Sequence, residues 1–202
     1  VSVLDLIPQF SMDWLISGKH EYPYDVAMGS RRYRVYGSAV RGDDPRATLL
    51  GVLYFTDLTE LYQVRDEYIR SRPVVSIILV DNYEELTRNM SEAAISALNS
   101  RINNTIIKWC QHYHGLLRRL ERNRFLFIFE KKDLTRAVED KFSLLDNIHT
   151  IVNPAGLAAS ISMGLGVDSD NFEEAYSFAA LGIEMALSRG GDQAVIKDRF
   201  NF

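Results

Sequence analysis

The sequence predicts an α+β protein in two parts: a helix with a three-stranded meander, then a longer β-α-β-β-α-β core carrying an extra helix and strand. Three observations predict it. Short strand-like runs punctuated by Gly29 and Asp43-Asp44-Pro45 fill the first part. A charged helical stretch closing at Arg72-Pro73 separates them from the rest. Beyond it, β-branched and aromatic runs alternate with segments whose apolar residues recur every three or four positions, the order of a ferredoxin-like core.

In chain order, Leu4 to Ile16 is amphipathic and stops at Gly18, which suits a helix C-terminus, with Pro8 in its first turn or breaking it. Tyr24 to Met28 is a short strand. Arg32 to Val40 sets Tyr33, Val35 and Gly37 against Arg32, Arg34 and Tyr36, the two-residue period of a half-buried strand. Asp43-Asp44-Pro45 is turn chemistry, and Thr48 to Phe55 is a strongly apolar strand. Leu58 to Arg70 is a charged helix with a partial apolar face of Leu58, Leu61, Tyr62, Val64 and Tyr68. Residues 1–57 therefore form a first module, 58–72 a connector and 73–202 a second domain.

In the second domain, Val74 to Val80 is an unbroken apolar run, as in a strand buried on both faces. Ser91 caps a long helix with apolar positions Ala94, Ile95, Leu98, Ile102, Ile106, Trp109 and Tyr113. Gly115 to Leu120 and Arg124 to Phe129 are strands joined tightly through Glu121-Arg122-Asn123. Asp133 caps a helix to about Ile148. Ala158 to Val167 is a strand, Phe172 to Ser188 a helix and Gln193 to Lys197 a last strand.

Composition narrows the classes of function. Of 202 residues 47% are hydrophobic and 25% charged, and the net charge is −4. A protein built to hold duplex DNA needs a basic surface to neutralise phosphates, so DNA binding is not expected. The single cysteine, Cys110, cannot form an internal disulfide and lies in a helical pattern, where it packs as a small hydrophobe; this fits a reducing compartment. No apolar run reaches the roughly 20 residues of a membrane span. There is no signal peptide, and the chain opens with Val1, so it reads as a segment of something longer.

Residues 73–197 resemble the GGDEF domain of diguanylate cyclases. Ile78-Leu79-Val80-Asp81-Asn82-Tyr83 resembles that family's first strand and its Asp-x-Asp-x-Phe loop. Arg119-Leu120-Glu121-Arg122-Asn123-Arg124-Phe125 resembles its Arg-x-Gly-Gly-Asp/Glu-Glu-Phe hairpin. Ser160-Ile161-Ser162-Met163-Gly164-Leu165-Gly166 is similar to a late strand, and Gly190-Gly191-Asp192-Gln193 to the turn before the last one. Gly190-Gly191-Asp192 follows a helix, so it reads as a glycine C-cap and not as the signature itself.

The resemblance implies two metal ions held by acidic side chains, which neutralise a triphosphate. Here the metal aspartate of the first strand falls on Leu79, the hairpin glycines on Glu121 and Arg122, and the acidic pair on Asn123 and Arg124. A guanidinium repels a divalent cation. The guanine-reading asparagine falls on or near Thr87, with Asn89 two places on, and the phosphate-clamping basic positions fall on Ser188 and Asp192. Only Asp81, the less chemical aspartate, survives. Cyclase activity is therefore not expected.

This pattern of loss resembles GdpP/YybT-type cyclic-di-AMP phosphodiesterases. The resemblance implies two transmembrane helices, a PAS domain, a degenerate GGDEF domain and a DHH/DHHA1 hydrolase domain that binds Mn²⁺. The first module resembles the second half of a PAS domain, and Phe55-Thr56-Asp57-Leu58-Thr59 its exit into a signalling helix. The implied role is regulatory: a homodimer on the cytoplasmic side of the plasma membrane relays a signal to the downstream hydrolase domain.

Other readings follow from particular residues. Arg118, Arg119, Arg122 and Arg124, with Lys131 and Lys132, form the densest basic cluster. It suits a nucleotide phosphate, or it is a solvated hairpin. ATP is the candidate ligand, with Asp81, Asn82, Arg122, Asn123 and Arg124 as nucleotide-binding candidates; the resemblance implies weak ATP hydrolysis at most. Haem is implied only for a complete PAS domain, and His20 is the nearest candidate ligand. His112, His114 and His149 have no metal-binding spacing. A non-catalytic nucleotide sensor or dimerisation scaffold is the remaining reading.

Overall fold

Gly29, at φ 62°, turns the chain between strands β1 (Val26–Met28) and β2 (Arg31–Val40), a conformation that costs glycine little. Strand β3 (Leu50–Asp57) then pairs antiparallel with β2, from Tyr33 opposite Asp57 to Val40 opposite Leu50, giving the sheet order β1-β2-β3. The computed structural model describes residues 3, 7, 10–40 and 50–201. The predicted turn Asp43-Asp44-Pro45, the start of the third strand at Thr48 and most of the helix from Leu4, with Pro8, lie outside them.

Within the described residues, α1 (Asp13–Ile16) buries Trp14 and Leu15 against the sheet, and Val35 is fully buried beside them. A Cβ on Gly37 would meet Leu15 and Trp14 at 2.8 Å, so β2 needs glycine where α1 lies against it. Gly18, at φ 79°, closes this helix as expected. The charged helix is α2 (Thr59–Ser71), and none of its residues is buried. Its Tyr62 hydroxyl and Arg34 both donate to Asp25, whose carboxyl they hold below the usual range.

The chain divides into two compact units, Val1–Tyr68 and Ile69–Phe202. The second unit is built on β4 (Pro73–Val80), buried from Val74 onward because both of its faces are covered. After β4 come α3 (Tyr83–Thr87), α4 (Glu92–Cys110), β5 (Leu116–Arg119) and β6 (Arg124–Glu130). Then follow α5 (Lys131–Glu139), α6 (Leu144–His149), β7 (Ile161–Gly166), α7 (Phe172–Ser188) and β8 (Ala194–Lys197). The sheet order is β5-β6-β4-β7-β8, antiparallel except for β7 with β8. This is the predicted ferredoxin-like core with an appended helix and strand.

One face of the sheet packs through Val74, Ile78 and Val80 on Leu98, Ile102 and Ile106 of α4 and on Leu144 and Ile148 of α6. The other packs through Val75, Ile77 and Leu79 on Ala175, Ala179 and Ile183 of α7. Ser91 caps α4 as predicted, its hydroxyl accepting from the Ala94 amide at 3.3 Å.

Two readings need correction. The single helix expected from Asp133 to Ile148 is two helices, and Asp133 caps neither; it is buried in the first turn of α5 and pairs with Arg136. Lys141 and Phe142 break the run at φ 52° and 51°, with Phe142 turned into the core toward Trp109. The short helix α3 was also not anticipated; Asn82 precedes it without a side-chain cap.

Candidate functional site

The candidate site lies where β4 ends. At that point Leu79 faces Arg124 of β6 on one side and Ser162 of β7 on the other. The Val80 amide donates to the Asn123 carbonyl at 2.8 Å, which pins the hairpin turn to the strand end. The turn closes on itself, the Leu120 and Glu121 amides both donating to the Arg124 carbonyl. Arg119 is consumed in holding it: its guanidinium donates to the Glu121 and Arg122 carbonyls and lies 5.4 Å from the Phe125 ring centre. Arg122 projects outward, Asn123 and Arg124 are half-buried, and Arg124 Nε is buried with no protein partner.

Asp81 sits on the other side of the same strand end. Its Oδ2 accepts from the Ser162 hydroxyl and the Asp192 amide, each at 3.0 Å, while Oδ1 is buried without a protein partner. Burial pushes its carboxyl above the usual range despite those two donors. Gly191, at φ 78°, brings the last turn against it; a Cβ there would stand 2.8 Å from Asp81 Oδ2. Gly190, at φ 101°, leaves α7 as the predicted glycine C-cap. Asn82 anchors backbone, with Nδ2 donating to the Ala158 carbonyl at 2.8 Å and Oδ1 accepting from the Ser160 amide at 3.2 Å.

The five candidate residues thus gather at one sheet end, but they face different tasks. Arg122, Asn123 and Arg124 form the hairpin side. Asp81 and Asn82 hold the turns beside it. The basic cluster read from the sequence is split: Lys131 and Lys132 follow the far end of β6 and pair with Asp168 and Glu130. Thr87 donates its hydroxyl to the Tyr83 carbonyl, and Asn89 is exposed.

Sequence reasoning missed the opposite wall. Ser96, Asn99 and Asn103 of α4, with Arg119 and Arg122 of the hairpin, line an open cleft of about 750 Å³. Asn99 donates to the Tyr83 hydroxyl at 3.0 Å. The available signal was the polar residues at 96, 99 and 103, along the flank of the helix next to Leu98, Ile102 and Ile106.

The two metal ions that the resemblance implies do not fit these residues. Leu79 has no donor, Asn123 is uncharged and Arg124 is cationic. Among the described residues no group of three or more His, Cys, Asp or Glu side chains is placed to hold a metal. In the first unit, His20, the nearest candidate haem ligand, is exposed, and its carbonyl accepts from the Gly37 amide.

A central strand flanked by a hairpin and a late strand, with helices on both faces, defines the GGDEF, or nucleotidyl-cyclase-like, class. Solved structures share this fold. The active GGEEF domain of a diguanylate cyclase from Vibrio cholerae matches with a TM-score of 0.54 at 12% identity, covering 67% of this chain and 89% of that one. The FimX GGDEF domain from Pseudomonas aeruginosa matches at 0.53 and 15%, covering 69% and 92%.

A family model, the GGDEF domain of GdpP-like cyclic-di-AMP phosphodiesterases, matches residues 78–201, and the chain belongs to this family. Cyclic-di-AMP phosphodiesterase GdpP of Bacillus subtilis is 31% identical over 172 residues, 85% of this chain and 25% of that protein. GdpP of Geobacillus thermodenitrificans is 36% identical, over 72% of this chain and 22% of its own length. PdeA of Listeria monocytogenes is 31% identical over the same two shares. The chain spans about a quarter of the length of these curated relatives. Among the described residues no helix is long and apolar enough to cross a membrane.

Proposed function

We propose that the chain is the regulatory portion of a membrane-anchored cyclic-di-AMP phosphodiesterase. In this reading the first unit is part of a PAS-like sensor, α2 is the signalling connector, and the second unit is a degenerate GGDEF domain. They relay a signal on the cytoplasmic side of the membrane to a downstream DHH/DHHA1 hydrolase domain. The observation that carries the reading is the pairing of Leu79 with Arg124: an apolar side chain and a cation stand where a cyclase needs carboxylates. Pairing of two copies through α2 belongs to the same reading. Leu61, Val64 and Tyr68 are exposed at heptad spacing, and Glu60 and Arg65 occupy flanking positions that attract across a parallel pair.

A second reading, ATP binding without cyclase chemistry, is favoured by the cleft beside the hairpin and by Arg122 at its edge. Arginine suits phosphate through paired, charge-assisted hydrogen bonds. Asp81 then holds the Gly191 turn and Asn82 the approach to β7, so both shape the site from behind.

Three measurements test this. The chain incubated with GTP and Mg²⁺ is expected to yield no cyclic dinucleotide. The longer protein containing it is expected to hydrolyse cyclic-di-AMP. ATP affinity measured by calorimetry is expected to fall about tenfold in Arg122→Ala, the loss of one charged hydrogen-bonded contact. Cyclic-di-GMP made by the chain itself, or a parent protein inert toward cyclic-di-AMP, would overturn the main reading. Equal ATP affinities in variant and parent would remove the second.

A further inference from the structure

Strand β5 is an outer strand of the second unit's sheet, and β6 is its one strand partner among the described residues. In an antiparallel ladder, successive residues point their amide and carbonyl groups alternately toward the partner and away from it. The Leu120 amide donates to the Arg124 carbonyl, so Arg118 and Leu116, two and four residues back, also face β6. Leu117 and Arg119 therefore turn their amides and carbonyls outward from the sheet. An unpaired row of this kind is a template for another strand. An α-helix cannot use it, because its own backbone groups are already paired.

Each flank of this edge offers apolar surface. Leu117 and Arg119 stand opposite Phe127 and Phe125, on the side where α4 packs. There Ile107 and Cys110 of α4, His114 just after it, Leu117 and Phe125 line an open trough of about 510 Å³. On the other side Leu116 and Arg118 stand opposite Ile128 and Leu126, and Leu116 is 66% exposed. A strand added to β5 sends alternate side chains to the two flanks. One set lies beside Leu117 and over the trough; the next lies beside Leu116 and Arg118.

Charge decides what kind of strand fits. Arg118 is exposed and forms no ion pair with any described residue. Its own strand, Leu-Leu-Arg-Arg, holds no acid. On the same flank of β6 the acid is Glu130, which lies at the far end and pairs with Lys132. A second copy of the chain supplies none either, since its outer strands offer Leu-Leu-Arg-Arg in β5 and Ala-Val-Ile-Lys in β8. An acid placed opposite Arg118 gains a cross-strand pair, and a basic residue there is repelled.

We propose that the outer edge of β5 is a docking site for an extended, acidic segment of another protein, which adds a further strand to the sheet. The segment sets apolar residues over the trough and a carboxylate against Arg118. Main-chain hydrogen bonds to Leu117 and Arg119 supply affinity, while the trough and Arg118 supply selectivity.

NMR titration and amide exchange on the chain test this, with a blocked peptide of alternating valine and glutamate and its valine–lysine counterpart. The glutamate peptide is expected to shift the Leu117 and Arg119 amide signals saturably, slow their exchange and leave the Trp14 indole signal still. Leu117→Pro removes one outward donor and leaves the bonds to β6 in place. It is expected to weaken binding about tenfold, the loss of one hydrogen bond, with an unmoved Trp109 indole signal reporting the intact fold. Arg118→Glu, at an exposed position, is expected to reverse the preference, so that the lysine peptide binds and the glutamate peptide does not. Linear drift with both peptides, or an unchanged preference in Arg118→Glu, would overturn the proposal. So would slow exchange of these two amides in the longer protein before any peptide is added, because a segment of that polypeptide then fills the edge.

Discussion

Asp81 and Asp140 show how the same side chain takes opposite roles. Around Asp140, four donors stabilise the charge; this group contributes stability above the unfolded carboxylate range and loses it as pH falls through its own lowered value. Around Asp81, burial outweighs two donors and leaves Oδ1 unpaired. The folded protein therefore holds that proton to higher pH than the unfolded chain does. Stability from Asp81 is complete below the unfolded value near 3.8, declines as pH rises, and levels off above the raised folded value. Asp81→Asn carries no such charge, so its stability relative to the parent is expected to climb across that window and then stay flat. Urea midpoints at a series of pH values check this; a difference that does not vary with pH would refute it. The missing metal chemistry was legible because Leu79 and Arg124 are each fixed by their own strand. The environment of Asp81 was not, since Ser162 and Asp192 come from 81 and 111 residues away.

At the level of elements, β7 and α7 pack backbone to backbone. A Cβ on Gly164 would stand 2.0 Å from the Ala179 carbonyl oxygen, and one on Gly166 1.9 Å from that of Ala175. Neither obstacle is a side chain that can swing aside, so the helix itself must move. Gly164→Ala and Gly166→Ala are each expected to cost about 3 kcal/mol or more, at the upper end for overpacking, read as a drop in denaturation midpoint. An unchanged midpoint would mean that α7 lies farther from the sheet. The strands were legible from their apolar runs and α4 from Ser91 and its spacing, because those signals are local. The break between α5 and α6 was not, since neither glycine nor proline marks Lys141 and Phe142. Burial of the Phe142 ring near Trp109 and the hold of Asp140 on Ser143 set it, and both are tertiary.

Across the whole molecule, the two units carry separate cores. One is centred on Trp14, Leu15 and Val35, the others on the two faces of β4. The boundary between Tyr68 and Ile69 falls inside α2, which buries none of its residues. What anchors the start of the second unit lies after that point: Arg72 pairs with Asp168 at 3.2 Å, and its carbonyl accepts from the Lys131 amide at 2.8 Å. Residues 69–202 alone are therefore expected to fold, with a melting temperature within about 4 °C of the same unit in the full chain, the shift that roughly 1 kcal/mol produces. The fragment also lacks Leu61, Val64 and Tyr68, so if α2 pairs two copies, sedimentation should show the full chain self-associating and the fragment monomeric. An unfolded fragment would show that the second core depends on residues before Ile69. A folded fragment that dimerises as well as the parent would instead locate self-association within the second unit and remove α2 from that role.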